Sequence, residues 1–349
     1  MKQVIQKVQE QKGLKQGQQI EITDDLFTPD PNRETENDVI IASPTSFGKE
    51  AFQRLLKNKG AVVSIIVLIV ISIAALIGPS LNEHSYKGQN IAHSHLPPKV
   101  NGLEWLGFNG KDSNGIDQYK IRKVETNYWF GTDEFGRDLW TRVWKGTQIS
   151  LFIAIVAAFL DLVIGVLYGG ISAFYGGRVD QVMQRIIEIL MGIPNLIVII
   201  LFILILKPGI TSIILAMIIT GWVGMARIVR GQILQLKGQE FILASRTLGA
   251  SNRRIISKHL LPNILGPVIV TVMFTIPTAI FFEAFLSFIG LGLQAPLASL
   301  GVLIEDGYIS MRLFPYKLLF PAVIISLIMI SFNLLGDGLR DALDPKLRK

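Results

Sequence analysis

The stretch EFILASRTLGASNRRIISKHLLP, residues 240–262, is a polar and basic segment between two long apolar ones. Glycine reaches positive φ at no steric cost, so Gly249 can end a first helix in the left-handed conformation. Ser251 is then placed to cap the start of a second helix. We predict two short helices that meet at a corner, and we interpret the corner as a docking element. The alternative is a solvated connector that its basic side chains hold against a membrane.

Six segments are long and apolar enough to cross a bilayer, whose core of ~30 Å requires ~20 residues of helix. They are residues 61–79, 149–177, 186–206, 210–226, 263–293 and 318–336. Three of these segments carry no charge, and the other three carry one acid each: Asp161, Glu188 and Glu283. Hydrophobic residues make up 50% of the chain. The sequence therefore predicts an all-α fold, a polytopic transmembrane helical bundle of about six spans.

Basic residues are concentrated in four short segments that flank the predicted spans, and six spans place all four on one side of the membrane. Short basic loops mark the cytoplasmic side. We therefore expect a bacterial cytoplasmic membrane protein whose N and C termini and Gly249 corner are cytoplasmic. The net charge of +7 is spread over these loops, so nucleic acid is not an expected partner.

The predicted organisation has six parts. Residues 1–46 are polar and rich in glutamine, and we expect them to form a disordered cytoplasmic tail. Residues 47–60 form an amphipathic helix on the membrane surface, followed by the first span at residues 61–79 and an extracellular loop at residues 80–148. Residues 149–336 form the transmembrane core, which includes the cytoplasmic loop 227–262, and residues 337–349 form a cytoplasmic tail. We expect Pro194 and Pro277 to kink their spans.

The spacing within residues 240–262 resembles the cytoplasmic loop of ABC importer permeases. That loop reads Glu-Ala-Ala, three residues, Gly, nine residues, Ile, one residue, Leu-Pro. This chain matches the pattern at Ala244, Gly249, Leu261 and Pro262. It departs from the pattern where Leu243 replaces the glutamate, and again where His259 replaces the isoleucine.

Two further strings narrow the resemblance: FGTDEFGRD at residues 130–138 and EAFLSFIGLG at residues 283–292. Both are similar to the C-type permease subunits of dipeptide, oligopeptide and nickel ABC importers. FYGGRVD at residues 174–180 and the pair Ile193–Pro194 fit the same branch. The resemblance covers residues 49–345 and implies the type I ABC importer permease fold.

The resemblance also implies partners and a site. The partners are a homologous permease subunit, two ATPase subunits that bind ATP and Mg²⁺, an extracellular peptide-binding protein and the lipid bilayer. The ATPase-coupling loop comprises Ala244, Ser245, Arg246, Gly249, Ala250, Ser251, Leu261 and Pro262. No nucleophile–base pair, metal-ligand cluster or phosphate-binding glycine loop is recognisable in the sequence. We therefore expect a transport subunit with no ATPase site and no cofactor of its own.

The three acids inside apolar runs are candidates for the bundle interior or the transport path, because an ionisable group facing lipid is costly. Asp161, Glu188 and Glu283 could couple an ion or proton, or they could be structural charges. Arg185 lies three residues before Glu188, a spacing that allows an ion pair on a helix.

Asp133, Glu134 and Asp138 permit a calcium-loop reading. However, acids beside glycines typically build capped turns, and the glutamate spacing of a calcium hand is missing. We predict a capped turn.

The function that fits these features is the permease subunit of an ATP-driven oligopeptide importer. Alternatives are a permease for nickel or another small solute and an ion-coupled secondary transporter. A membrane enzyme is disfavoured because no catalytic set can be named. His84, His93 and His95 lie in the outer loop, where we expect surface histidines and not metal ligands.

Overall fold

The computed structural model describes residues 47–344, so the predicted tail 1–46 and the last five residues lie outside the described part. The helices are α1 (Phe47–Lys57), α2 (Lys59–Ile77), α3 (Gln118–Arg122), α4 (Leu139–Tyr175), α5 (Gly177–Gly192), α6 (Asn195–Leu206), α7 (Ile210–Lys237), α8 (Glu240–Thr247), α9 (Asn252–Phe288), α10 (Leu300–Ser310) and α11 (Tyr316–Leu343). Single 3₁₀ turns lie at Gly78–Ser80, Ile91–His93 and Glu104–Leu106.

Five of these helices are long and apolar enough to span a membrane, namely α2, α4, α7, α9 and α11. The α5–α6 pair makes a sixth if it counts as one bent span. The prediction of an all-α, multi-pass membrane bundle is confirmed. The third predicted span, residues 186–206, corresponds to α6 and the second half of α5, and these two helices meet at 81°.

The bend at the α5–α6 junction has a local cause. Pro194 has no amide hydrogen and clashes with a preceding helical turn, so Ile193 adopts an extended conformation and the helix restarts at Asn195. The predicted kink at Pro194 is thus confirmed. Pro277, by contrast, lies inside the unbroken α9.

Several helices extend beyond their apolar runs. The α4 helix begins at Leu139, ahead of the predicted start at Ile149, because the Asp138 side chain accepts a hydrogen bond from the Thr141 amide and caps the helix. The α11 helix continues to Leu343, through residues that hydropathy assigned to a tail. Hydropathy detects only the part of a helix that faces lipid, whereas the backbone hydrogen bonding of the helix continues beyond the apolar run into polar residues.

The α4 and α7 helices pack closely through glycines. A Cβ atom added at Gly169 would overlap the carbonyl oxygen of Ala226, and one added at Gly165 would lie 2.6 Å from the Met225 Cβ. Small residues at such positions let helix backbones approach closely, which is how helices associate in membranes. This pair forms the centre of the bundle, against which α6 and α9 also pack.

We expect Gly169→Ala to destabilise the bundle by ~1–3 kcal/mol, the usual cost of overpacking. The added methyl group would meet backbone, which can move only if α4 and α7 separate. Gly170→Ala is the matched control, because its Cβ would have 3.9 Å of clearance to the Ile233 Cδ1 atom. The thermal midpoints of the two purified variants test this, and equal midpoints would contradict it.

The outer loop folds around its own small core of Leu96, Tyr119, Val124 and Tyr128. The Tyr119 hydroxyl donates a hydrogen bond of 2.8 Å to the Pro97 carbonyl oxygen, and burial raises the pKa of this hydroxyl. We call residues 81–138 the outer cap.

The capped turn predicted at the end of the outer cap is confirmed. Asp133 Oδ1 accepts hydrogen bonds of 2.9 Å from the amides of Phe135 and Arg137. Gly136, between them, has a φ of +70°. These bonds set the conformation that leads into α4.

Buried charges lie directly behind this turn. Asp133 Oδ2 is 2.5 Å from Arg137 Nε and 3.4 Å from Arg142 Nη1, and all three side chains are at most 4% exposed. Arg142 Nη2 also lies 3.6 Å from Asp306 of α10, a carboxyl whose pKa is raised by burial. The cluster joins the outer cap to α4 and α10.

Candidate functional site

The corner at Gly249 ends α8 with a Schellman motif. The Ala250 amide donates to the Ser245 carbonyl oxygen at 3.0 Å, and the Gly249 amide donates to the Arg246 carbonyl oxygen at 2.9 Å. Gly249 has a φ of +79°, in the left-handed region. The sequence expectation for this residue matches the geometry.

The second half of the corner begins at Ser251, whose hydroxyl oxygen accepts from the Arg254 amide at 3.4 Å. The expectation of a second short helix was wrong, because this helix continues without a break into the span Asn252–Phe288. A wide π turn at Ile255–Leu260 precedes Pro262. Proline has no amide hydrogen to donate, so the ordinary α-helical hydrogen bonding cannot pass through it unchanged.

The corner is anchored on one face and exposed on the other. Ile242, Ile255 and Leu260 are buried in a cluster that includes Val229 and Ile233 of α7. The eight coupling-loop candidates from the sequence all keep some exposure to solvent. Ala244, Arg246, Gly249, Ser251 and Pro262 are exposed, and Ser245, Ala250 and Leu261 are half-buried.

Leu248 is 87% exposed at the tip of the corner. Leu243, which replaces the glutamate of the family pattern, is also exposed, while His259 is half-buried with its ring near Phe241. Sequence reasoning did not single out Leu248. The sequence signal for Leu248 was its position directly before Gly249, the glycine that ends the helix.

An ion pair braces α7 beside this corner. Arg230 Nε donates to Asp180 Oδ1 and Arg230 Nη2 donates to Asp180 Oδ2, both at 2.6 Å, and Asp180 lies near the start of α5. Asp180 also accepts from the Ser172 hydroxyl. This gives a structural role to the final residue of the string FYGGRVD.

Glu283 lies fully buried inside the bundle. Its Oε2 accepts from the Ser150 hydroxyl and its Oε1 from the Ser287 hydroxyl, both at 2.9 Å. Ser150 in turn accepts from the Leu300 amide at 3.1 Å. Glu283 therefore links α9, α4 and the start of α10.

We expect Glu283→Leu to destabilise the chain, because two buried hydroxyls would lose their acceptor at a cost of roughly 1–3 kcal/mol each. Glu283→Gln is the matched control, because its amide oxygen keeps one acceptor. Thermal midpoints of the purified variants, with assembly and uptake in the complete importer, test this. Normal stability and uptake in Glu283→Leu would remove Glu283 from the candidate site.

Asp161 lies elsewhere in the bundle, on the wall of a partly open cavity of about 300 Å³ lined by residues of α4, α6, α7 and α9. The polar residues lining this cavity are Asp161, Asn195, Thr220, Thr271, Thr275 and Thr278. The Asp161 side chain is 7% exposed. The two buried acids are therefore in separate environments.

Glu188 does not join either buried acid. Its side chain is 61% exposed and lies 2.8 Å from Arg185. The predicted pairing of Arg185 with Glu188 is present. Glu188 does not lie in the interior of this chain's bundle, where it was a candidate. Within residues 47–344, Glu188 therefore lies on the exposed surface of α5.

The three histidines of the outer cap are held by protein contacts. His93 Nδ1 lies 2.8 Å from the Tyr128 hydroxyl, and the His84 ring stacks on Tyr128 at 4.2 Å. His95 Nδ1 lies 2.6 Å from Lys317 Nζ, and burial together with this cation lowers the pKa of His95. The contact with Lys317 was not foreseen, because it joins residues far apart in the sequence.

Two models of known protein families match separate parts of the chain. A family model described as "Binding-protein-dependent transport system inner membrane component" matches residues 161–349. A second model, "N-terminal TM domain of oligopeptide transport permease C", matches residues 46–98. The two matches lie on either side of most of the outer cap.

Relatives cover the length of the chain. The dipeptide transport system permease protein DppC of Bacillus subtilis (strain 168) is 46% identical over 94% of this chain and 95% of its own. The oligopeptide transport system permease protein OppC of the same organism is 44% identical over 94% of this chain and 99% of its own. OppC of Escherichia coli (strain K12) is 40% identical over 87% of this chain and 92% of its own.

A solved structure, the inward-facing MetNI methionine ABC transporter, matches with a TM-score of 0.50 at 22% identity, over 58% of this chain and 96% of that one. This likeness concerns the fold alone. The resemblance stated from the sequence motifs is confirmed by these matches. The chain is a multi-pass membrane protein that belongs to the family of inner membrane components of binding-protein-dependent transport systems, with the type I ABC importer permease fold.

Proposed function

We propose that this chain is the transmembrane permease subunit of an ATP-driven importer of oligopeptides. The observation that carries the proposal is the Gly249 corner, a hydrogen-bonded turn that exposes Leu248 in the segment between the spans α7 and α9. The named relatives, which are dipeptide and oligopeptide transport permeases, support the choice of substrate class.

The proposed assembly contains a homologous permease, two ATPase subunits and an extracellular peptide-binding protein. The chain itself has no ATPase site and needs no cofactor, and the partner subunits bind ATP and Mg²⁺. The corner rests on the buried cluster of Ile242, Ile255 and Leu260, which connects it to α7 and α9. Movement of an ATPase subunit would therefore pass directly into two spans and shift the bundle between inward- and outward-facing states.

The proposed location is the bacterial cytoplasmic membrane. The Gly249 corner and both termini lie in the cytoplasm, and the outer cap faces outwards to receive the binding protein. The tail 1–46 and residues 337–349 are cytoplasmic in this assignment, which rests on the basic short loops.

Site-directed cross-linking tests the docking role. The chain has no cysteine, so Leu248→Cys introduces its single thiol at the exposed tip. We expect a thiol cross-linker of short reach to join this thiol to an ATPase subunit in the complete importer. Ile309→Cys is the matched control, because Ile309 is a similarly exposed apolar residue, 78% exposed on α10. A cross-link from Ile309 but not from Leu248 would contradict the proposal.

The second candidate is an ion-coupled secondary transporter, which the burial of Asp161 and Glu283 favours. The two candidates differ in their energy source. Uptake by the chain alone, driven by a proton or sodium gradient without ATPase subunits, would favour the second.

A further inference from the structure

The carboxylate of Asp161 lines the cavity, and one of its oxygens has no hydrogen-bond partner within residues 47–344. Among residues 47–344, no hydrogen-bond donor reaches Asp161 Oδ1, although the side chain is only 7% exposed. Burying a charged group without a partner is costly, and ionisable groups within spans usually mark a path or binding site. The cavity of about 300 Å³ reaches the lower end of the range for small-molecule sites, which is roughly 300–1,000 Å³.

The α9 side of the cavity carries three threonine hydroxyls among apolar side chains. The hydroxyls of Thr271, Thr275 and Thr278 donate to the backbone oxygens of Pro267, Thr271 and Phe274, respectively, at 2.7, 3.0 and 2.8 Å. A hydroxyl has one hydrogen to donate and two lone pairs. Because each hydrogen is committed to the helix backbone, these threonines can offer only oxygen lone pairs to the cavity.

From this arrangement we propose that the cavity binds a protonated primary amine, namely the amino terminus of the transported peptide. An ammonium group has three donors and no acceptor, which suits the carboxylate of Asp161 and the hydroxyl oxygens of the three threonines. Asn195, which also lines the cavity, has its Oδ1 atom occupied by the Thr220 hydroxyl. Phe274 and Phe282 also line the cavity, and aromatic faces attract cations. The inference rests on the proposed function, because it takes the peptide as the source of the amine.

Gly221 makes room for this carboxylate. A Cβ atom added there would lie 2.5 Å from Asp161 Oδ2. Alanine at this position would therefore displace the carboxylate from its place on the wall. Gly231 lies on the same helix with no atom within 4 Å of an added Cβ, so Gly231→Ala is a matched control.

Thiol labelling of the complete importer in vesicles tests the charge preference. Thr278→Cys places the only thiol of this chain in the cavity wall, because the natural sequence has no cysteine. Mass spectrometry of the chain gives its labelling rates with trimethylammonioethyl and sulfonatoethyl methanethiosulfonate, reagents of opposite fixed charge. We expect the cation-to-anion rate ratio to fall roughly tenfold or more when Asp161→Asn removes the charge. Gly221→Ala should lower the ratio and Gly231→Ala should not, and an unchanged ratio in Asp161→Asn would overturn the proposal.

Peptide protection tests the source of the amine. During ATP-driven turnover with loaded binding protein, trialanine should slow labelling of Thr278→Cys at least severalfold, whereas N-acetyl-trialanine should not. Asp161→Asn should lose this protection while the subunits still assemble. Equal protection by both peptides, or none by either, would overturn the amine site even where trialanine uptake proceeds. Loss of subunit pairing in Asp161→Asn would instead assign the carboxylate to a cation of the partner permease.

A different pattern would reveal failure of the proposed function itself. If the complete importer takes up no trialanine with ATP, the proposed function is wrong, and so is the proposal that the cavity binds the amino terminus of a transported peptide. The charge ratio would then still show whether the cavity prefers cations.

Discussion

Gly249→Val is expected to abolish most ATP-driven uptake while the chain still inserts and pairs. Gly249 has a φ of +79°, and a left-handed non-glycine residue costs at least ~1–2 kcal/mol. No atom lies within 4 Å of a Cβ added at this position. The variant would therefore fail through backbone strain, which straightens or displaces the corner, and not through a clash.

Gly238→Val is the matched control for this variant. Gly238 lies in the same cytoplasmic loop, also with no atom within 4 Å of an added Cβ, but its φ is −88° and suits any residue. Vesicles containing all subunits give both quantities, peptide uptake and the response of ATP hydrolysis to loaded binding protein. If Gly249→Val matches Gly238→Val in both, the corner is only a connector.

Asp133→Ala is expected to lower the free energy of unfolding of the outer region by ~3–5 kcal/mol, the usual cost of breaking a buried ion pair from one side. Asp133 is the only carboxylate within 4 Å of Arg137 among residues 47–344, and it also faces Arg142. Both guanidinium groups would stay buried, with Asp306 the remaining neighbour of Arg142.

An exposed ion pair supplies the comparison for Asp133. Glu188→Ala removes the partner of Arg185 from a pair whose side chains are 76% and 61% exposed, so we expect a change of at most ~1 kcal/mol. Denaturant unfolding of the purified chain, followed by the fluorescence of outer-cap tryptophans, would measure both. Similar small losses in the two variants would mean that the buried cluster does not hold the outer cap in place.

The spans could be predicted because each apolar run reports directly on a helix that faces lipid. Their ends could not be predicted in this way. Because Arg142 and Lys145 are charged, hydropathy placed the start of α4 at Ile149. In the structure, Asp138 caps the helix, which begins at Leu139. The 81° bend shows a related limit, since Pro194 indicated a kink but no pattern gave its size.

The coupling corner was predictable because its chemistry is local. A positive-φ glycine and a capping serine act within a few residues, so Gly249 and Ser251 were readable from the sequence. The continuity of the second helix was not predicted, because hydropathy starts the span at residue 263. In the structure the helix runs from Asn252 into the span, through the π turn at Ile255–Leu260.

The bundle interior depends on contacts between distant residues. The sequence singled out Asp161 and Glu283 as costly charges, but it could not separate their environments. Glu283 meets Ser150 across the bundle, whereas Asp161 lines a cavity and lies so close to Gly221 that a larger residue there would meet its carboxylate. Neither neighbour carries a sequence signal of its own.

The most direct test of the ATP-driven permease is trialanine uptake into vesicles with defined subunits. The chain would be reconstituted with its partner permease, both ATPases and the binding protein, and separately alone. We expect uptake only from the complete set with hydrolysable ATP, and none with a non-hydrolysable analogue. Uptake by the chain alone, driven by a proton or sodium gradient, would contradict the account.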